Sequence, residues 1–143
     1  MKARDVMTPD PACCSPDANI VDVTQMFVEH DTGAIPVVDP ATRRPIGIVT
    51  DRDVATRAVA SGQDARTLTA GDCMTTSVIT VSREASFDEC VDAMEANQVR
   101  RLIVVDDQDH VVGIISQADI ALHGRKKKTG DLLQEVSKPD EAS

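Results

Sequence analysis

The sequence predicts a mixed α/β fold of the α+β class, in which two β-α-β-β-α repeats pack about a pseudo-twofold axis. The second half of the chain repeats the first at an offset of 67 residues, and in each copy β-branched runs alternate with segments of helical periodicity. With 41% hydrophobic and 27% charged residues, the composition is globular. Because a unit of about 55–60 residues buries little core alone, we expect the two copies to pack together.

The repeat is carried by polar landmarks as well as by the apolar pattern. Three segments recur in order, namely residues 5–8 as 72–75, residues 37–39 as 104–106, and residues 47–53 as 113–119. The offset falls by one residue in the segment that contains Pro40 and Pro45. These prolines predict a turn, and a turn is where a structural repeat tolerates a change in length.

Within each copy, a short strand is expected first, at residues 12–14 and 78–81. A helix follows, beginning at Asn19 or Ser86, each of which has an acidic residue three positions later. That spacing is typical of a helix N-cap. Gly33 is expected to end the first of these helices.

A hairpin of two buried strands comes next, at residues 35–38 with 46–49 and at residues 102–105 with 111–115. Their β-branched runs favour buried strands. A second helix is expected to begin at Thr50 in the first copy and at Ser116 in the second. The first of these helices should run to about Ala60 and stop at Gly62.

These elements predict three segments along the chain. Residues 1–66 form the first repeat with its linker, residues 67–124 form the second, and residues 125–143 form a polar tail, with both repeats in one module. The tail opens on a basic run, residues 125–128. We interpret it as solvated and mobile, with one helical turn at residues 131–136; docking of a partner or a phosphate is the alternative.

Charge and composition exclude several functional classes. A net charge of −9 argues against nucleic-acid binding, and a chain with two Phe, no Tyr and no Trp lacks stacking platforms for bases. No apolar run is long enough to span a membrane, and the first residues lack the apolar stretch of a signal peptide. We therefore expect a cytoplasmic protein with neither a membrane nor a nucleic-acid partner.

The four cysteines are expected to be reduced thiols. Cys13 and Cys14 are adjacent and would point to opposite faces of a strand, so they do not easily share a metal ion. A sensor of metal or thiol state that uses Cys13, Cys14 or Cys73 with a histidine stays open as a third functional alternative. No motif of an established catalytic class occurs, so the sequence predicts no enzyme.

Two helix starts carry the strongest functional signal. Thr50 and Ser116 each follow a strand, and Asp53 and Asp119 stand three residues later. The structural interpretation is a capping box, worth about 1 kcal/mol. The functional interpretation adds a phosphate on the free N–H groups of the helix and a ribose on the carboxylate. Its occurrence in both copies favours the functional interpretation.

Taken in order and twice, these segments resemble tandem CBS-domain proteins, named for the regulatory domain of cystathionine β-synthase, of the small stand-alone bacterial type. The matching segments are residues 5–8, 33–39 and 47–53, then residues 74–75, 99–106 and 113–119. The resemblance covers about residues 3–124. It implies a disc-shaped homodimer that regulates an unidentified protein. It also implies two clefts that take an adenosine compound: AMP, ADP or ATP, and sometimes NAD or S-adenosylmethionine.

The resemblance also assigns residues to each cleft, with Asp on the ribose and Ser or Thr on the phosphate. One cleft would combine Asp119, Ser116 and Ile114 with Thr8, Ala12, Thr32, Gly33 and a phosphate-facing Arg101. The other would combine Asp53, Thr50 and Ile48 with Thr75, Ile79, Val99 and Arg100.

The second copy departs from the family pattern at two positions. Ile103 stands where the first copy has Pro36, and Arg100 stands where it has Gly33. The two clefts are therefore not equivalent. Arg100 either blocks adenine or clamps phosphate. A ligand-free dimeric interaction module is the alternative to nucleotide sensing.

Overall fold

The computed structural model describes residues 1–136, with side chains described as far as Lys126. The first repeat contains α1 (Ala3–Val6), β1 (Thr8–Pro9), α2 (Ile20–Glu29), β2 (Ala34–Val38), β3 (Pro45–Thr50) and α3 (Asp51–Asp53), which continues as a π-helix (Val54–Val59). A 3-10 helix (Ala65–Thr67) leads to the second repeat, with α4 (Ala70–Cys73), β4 (Thr80–Ser82), α5 (Phe87–Asn97), β5 (Arg101–Val105), β6 (Val111–Ser116) and α6 (Gln117–Val136). This mixed α/β architecture confirms the predicted fold class.

Each repeat is built on an antiparallel hairpin. β2 pairs with β3, and β5 pairs with β6 in the same register, so that Ala34 faces Thr50 as Arg101 faces Ser116. The connecting loop is one residue shorter in the second repeat, which confirms that the change in offset falls in a turn.

The strand predicted at residues 12–14 is reduced to a single parallel bridge between Cys14 and Val37. In the second repeat the equivalent segment is a true strand, β4, which pairs in parallel with β5 over three residues. The difference has a local cause: Pro11 and Pro16 flank Cys14, and neither has an N–H to donate to a strand partner.

The N-terminal part of each repeat packs on the other repeat. β1 extends the sheet of the second repeat, with Thr8 opposite Ile114, and Thr75 makes the corresponding bridge to Ile48. The short helix before each of these segments also packs on the other repeat. α1 contributes to the core of the second repeat, and α4 contributes to the core of the first. The exchange was not predicted from the sequence, and it ties the two repeats into one body.

Two hydrophobic cores result from this exchange. The first consists of Cys14, Ile20, Val23, Ile35, Val37, Val49, Ala58, Leu68, Ala70 and Cys73. The second consists of Ala3, Val6, Phe87, Cys90, Met94, Leu102, Val104 and Ile115. Residues that alternate along the central strands point into these cores, as expected of strands covered by helices on one face.

The first helix does not end at Gly33, as the sequence predicted. α2 ends at Glu29, and the chain reverses at Asp31, whose φ of 48° lies in the left-handed region that Asp tolerates better than most residues. Gly33 serves close packing instead, because a Cβ built there would lie 3.0 Å from Asp51 Oδ2. The predicted stop at Gly62 is confirmed by a φ of 76° after the π-helix.

The C-terminal helix also differs from the prediction. We expected a polar tail from residue 125 with one helical turn at residues 131–136, but α6 runs without interruption to Val136. A glycine inside a helix costs only about 1 kcal/mol, and the Arg and Lys residues that follow Gly124 are good helix formers. Residues 137–143 of the predicted tail lie outside the described residues.

Candidate ligand-binding clefts

Both predicted helix starts are reciprocal capping boxes. Thr50 Oγ1 accepts a hydrogen bond from the Asp53 N–H at 3.1 Å, and Asp53 Oδ2 accepts one from the Thr50 N–H at 3.0 Å. Ser116 and Asp119 repeat the arrangement at 3.2 and 2.9 Å. The boxes fix both carboxylates at the ends of β3 and β6.

The end of β6 opens onto a cavity of about 460 Å³, here termed the larger cavity. It is bordered by Thr8, Pro9, Asp10, Pro11, Ala12, His30, Asp31, Thr32, Gly33, Ala34, Arg101, Ile114, Ser116 and Asp119. Every residue expected in the first cleft is among them. The two repeats thus share this cavity, since β6 and α6 form one wall and the segments around β1 and the start of β2 form the other.

The end of β3 opens onto the corresponding smaller cavity, of about 170 Å³. It is bordered by Ile48, Thr50, Asp53, Thr75, Ser77, Val78, Ile79, Val99, Arg100, Arg101 and Ile103. The structure thus also brings together every residue expected in the second cleft. That the residues of either cavity bind a ligand stays a prediction.

The two carboxylates differ in what surrounds them. Asp53 is buried, with a relative exposure of 9%, and it accepts a hydrogen bond from the Thr75 hydroxyl at 3.3 Å. Arg57 lies 3.9 Å from the same carboxylate and donates a hydrogen bond to the Met74 carbonyl oxygen at 2.7 Å. The Asp53 carboxylate therefore already helps to hold the two repeats together through its hydrogen bond with Thr75.

Asp119 is only half-buried, and its bonds converge on one oxygen. Oδ2 accepts from the Ser116 N–H and from the Ser116 hydroxyl at 3.0 Å. Within the described part of the chain, Oδ1 has no hydrogen-bond partner and the carboxylate forms no ion pair. A free carboxylate oxygen at the wall of a cavity is suited to accept a bond from a ligand hydroxyl.

Arg100 and Arg101 take different positions around the cavities. Arg101 begins β5 and borders both cavities, whereas exposed Arg100 borders only the smaller one. Among residues 1–126, neither guanidinium forms an ion pair. Both are therefore available for an anion in the smaller cavity.

The sequence did not identify several residues of the larger cavity, most notably Asp10, His30 and Asp31. They follow no apolar pattern and belong to no predicted motif. Their only signal was position, because they lie within two residues of Thr8 or Thr32, which the resemblance had assigned. Asp10 and Asp31 share a φ of 48°, a conformation that single sequence positions do not reveal.

The cysteines are packed thiols. All four are free, and burial, together with a smaller effect of Cys13, raises the pKa of Cys14 to about 11. Cys13 and Cys14 border a third, open cavity together with His110. Among the residues whose side chains are described, no group of three or more His, Cys, Asp or Glu is placed to hold a metal ion.

No helix in the described part of the chain combines the length and the hydrophobicity that a membrane span requires.

Comparison with known families gives a match over both repeats. Residues 3–60 and 70–125 match the model of the CBS domain. Hypoxic response protein 1 of Mycobacterium tuberculosis is 37% identical over 121 residues, which are 85% of this chain and 83% of that protein. The CBS domain-containing protein YhcV of Bacillus subtilis is 33% identical over 135 residues, 94% of each chain.

Solved structures give the same result for the fold. The crystal structure of Hypoxic Response Protein I with two coordinated zinc ions is 35% identical, with a TM-score of 0.73 over 86% of this chain and 98% of that one. The CBS domain pair of protein MJ0100 is 28% identical, with a TM-score of 0.74 over 88% and 98%. That pair was crystallised in complex with 5'-methylthioadenosine and S-adenosyl-L-methionine.

Proposed function

The chain belongs to the CBS domain family, and from this premise we propose that it is a regulatory, non-catalytic module that binds an adenosine-containing ligand between its two repeats. The larger cavity is the principal site. AMP, ADP, ATP, NAD and S-adenosylmethionine are the candidate ligands, since each carries an adenosine moiety. The proposal covers residues 1–66 and 67–124 acting together as one module.

One observation carries the proposal: a carboxylate with an unoccupied oxygen lies at the wall of a cavity that both repeats share. Asp119 Oδ1 is the acceptor for a ribose hydroxyl, and the capping box holds its carboxylate in place. Gly33 leaves room on the opposite wall, while Ile114 supplies an aliphatic surface for a planar base. Because no Phe, Tyr or Trp borders this cavity, aliphatic side chains and the His30 imidazole are the surfaces available to the base.

The ligand acts by shifting an equilibrium between arrangements of a homodimer. It can do so only through its different affinity for the two arrangements. The free cysteines support a reducing compartment such as the cytoplasm, and the regulated target is an unidentified protein.

A panel of adenosine compounds with GTP as the base control tests the proposal. Differential scanning calorimetry suits this protein, because it has no Trp or Tyr for intrinsic fluorescence. A ligand at about 100 times its dissociation constant should raise the melting temperature by about 5–10 °C. Asp119→Asn should weaken the binding about 10- to 100-fold, because the Ser116 donors hold its one remaining oxygen and leave an NH2 group where the ribose acceptor was. Exposed Asp107→Asn serves as the control of equal charge.

Binding of an adenosine compound that Asp119→Asn weakens at least about tenfold and Asp107→Asn preserves would support the proposal. No shift and no heat with any compound would reject it in favour of the ligand-free interaction module. Binding that is indifferent to Asp119→Asn would place the ligand elsewhere and contradict the assignment of the larger cavity.

A further inference from the structure

The larger cavity has an acidic border. Three acidic residues border it, namely Asp10, Asp31 and Asp119, and Arg101 is the one Arg or Lys residue among its border residues. The formal charges of these four side chains sum to −2. The net charge of −9 on the whole chain adds to the same negative potential.

The smaller cavity has the opposite sign. Asp53 is its one acidic residue, against the guanidinium groups of Arg100 and Arg101, so the formal charge of its border is +1. Asp53 is further offset by Arg57 at 3.9 Å. The two cavities therefore differ in charge as well as in volume, although the repeat relates them.

The internal repeat shows where this difference arises. Three positions at the offset of 67 change the charge in the same direction, namely Asp10 with Ser77, Asp31 with Gln98, and Gly33 with Arg100. Asp31 and Gln98 also share the left-handed backbone conformation, with φ of 48° and 52°. The backbone at this position is thus conserved between the repeats while the charge is not.

The carboxylates at the rim of the larger cavity are not neutralised by neighbours. Among residues 1–126, neither Asp10 nor Asp31 forms an ion pair, and both are exposed. The N-terminus of α6 does little to offset them, because the Ser116 hydroxyl accepts from the Asp119 N–H and the Asp119 carboxylate already lies in the first turn. Exposure limits each charge to a modest effect that salt screens.

From this charge distribution we infer that the larger cavity selects an adenosine compound without phosphate groups, and favours one with a positive charge on its 5' substituent. The inference rests on the proposed function and specifies its ligand class. S-adenosylmethionine fits, because its sulfonium and ammonium groups outnumber its carboxylate, and neutral 5'-methylthioadenosine ranks next. AMP and ATP carry about two or more negative charges and are disfavoured there.

Isothermal titration calorimetry on the full chain at low salt tests this inference. S-adenosylmethionine, 5'-methylthioadenosine and AMP are titrated into the wild type and into Asp119→Asn, which identifies binding in the larger cavity. We expect S-adenosylmethionine to bind about tenfold more tightly than AMP in the wild type, and this ratio to shrink at high salt.

A double variant that copies the neutral residues of the second repeat, Asp10→Ser with Asp31→Gln, tests the cause. It should lower the ratio of the two affinities about three- to tenfold, by weakening S-adenosylmethionine and strengthening AMP. The matched control is Asp17→Asn with Asp107→Asn, which removes two exposed carboxylates that border neither cavity. The control should leave the ratio unchanged.

The outcomes separate the inference from the proposed function. Asp119-dependent binding in which AMP exceeds S-adenosylmethionine would overturn the inference and leave the proposed function standing. A ratio that the double variant does not change would overturn it as well. If none of the three compounds binds, the inference fails, whereas the proposed function fails only if ADP, ATP and NAD do not bind either.

Discussion

At the scale of single residues, Asp53 and Asp119 occupy the same position in the two repeats but make different contacts. Both close a capping box with the residue that ends the preceding strand. Asp53 also binds the Thr75 hydroxyl of the other repeat and lies beside Arg57. One carboxylate therefore contributes to the contact between the repeats, while the other keeps an oxygen available for a ligand.

This difference predicts unequal effects on stability. Asp119→Ala should lower the free energy of unfolding by about 1 kcal/mol, which is the value of a lost cap. Asp53→Ala should lower it by about 2–3 kcal/mol, because it also removes the acceptor of the Thr75 hydroxyl and the carboxylate beside Arg57. Urea unfolding followed by circular dichroism measures both. Equal losses in the two variants would show that the additional contacts of Asp53 contribute nothing.

The Cys14 thiol makes stability depend on pH in the alkaline range. Its pKa is raised from 9.0 to about 11, chiefly by burial, so the native state binds the thiol proton more tightly than the unfolded state does. The resulting stabilisation is complete below about pH 9 and is lost as the pH rises through about 11.

A pH series on the wild type and Cys14→Ala tests this dependence. The excess stability of the wild type over the variant should fall by about 2 kcal/mol between those two pH values. Comparing the two proteins at each pH removes the contribution of other groups that titrate in this range. A constant difference across the series would contradict a raised pKa at Cys14.

At the scale of elements, two glycines set how closely the exchanged segments approach the hairpins. A Cβ at Gly47 would lie 2.6 Å from Met74 Sδ, and a Cβ at Gly113 would collide with the Met7 side chain. Met7 precedes Thr8, and Met74 precedes Thr75. These approaches therefore position residues that border the two cavities.

Substituting alanine for glycine should have opposite effects at two sites. Gly113→Ala should destabilise the protein by about 1–3 kcal/mol through overpacking against Met7, and it should weaken ligand binding by displacing Thr8. Gly124→Ala should stabilise it by about 0.5–1 kcal/mol, because this Cβ would meet only Phe87 Cζ at 3.7 Å, an ordinary contact in a helix. Melting temperatures of both variants measure the effects, and a stabilised Gly113→Ala would contradict the close approach.

The sequence predicted the elements best where local chemistry decides them. The hairpins and the helix starts at Thr50 and Ser116 follow from β-branched runs and from a capping pattern, and the structure confirms both. The strand at residues 12–14 and the end of α6 were predicted wrongly. In the first case, flanking prolines outweigh strand propensity; in the second, good helix formers outweigh one glycine.

At the scale of the whole molecule, the exchange of N-terminal segments links the repeats. Ala3 and Val6 are buried in the second core, and Ala70 and Cys73 are buried in the first. Neither repeat has a complete core without the other. A ligand between the repeats thus contacts a single cooperative body, and its binding energy stabilises both halves together.

The repeat and the family resemblance predicted which residues border the two cavities. They did not predict the charge of each border. Every residue assigned to a cleft by the sequence borders the corresponding cavity. The rim charges of Asp10 and Asp31 were missed, because they depend on how two loops of irregular backbone converge. A pattern of hydrophobic and capping residues contains no information about that convergence.

Methyl NMR on a sample labelled at isoleucine tests the central claim most directly. Ile114 borders the larger cavity and Ile79 the smaller one, whereas Ile20 and Ile35 are fully buried in the first core. Titration with S-adenosylmethionine should shift the Ile114 methyl resonance first, and Asp119→Asn should abolish that shift. If the Ile114 methyl resonance does not move while calorimetry detects binding of S-adenosylmethionine, the larger cavity is not the site and the account is wrong.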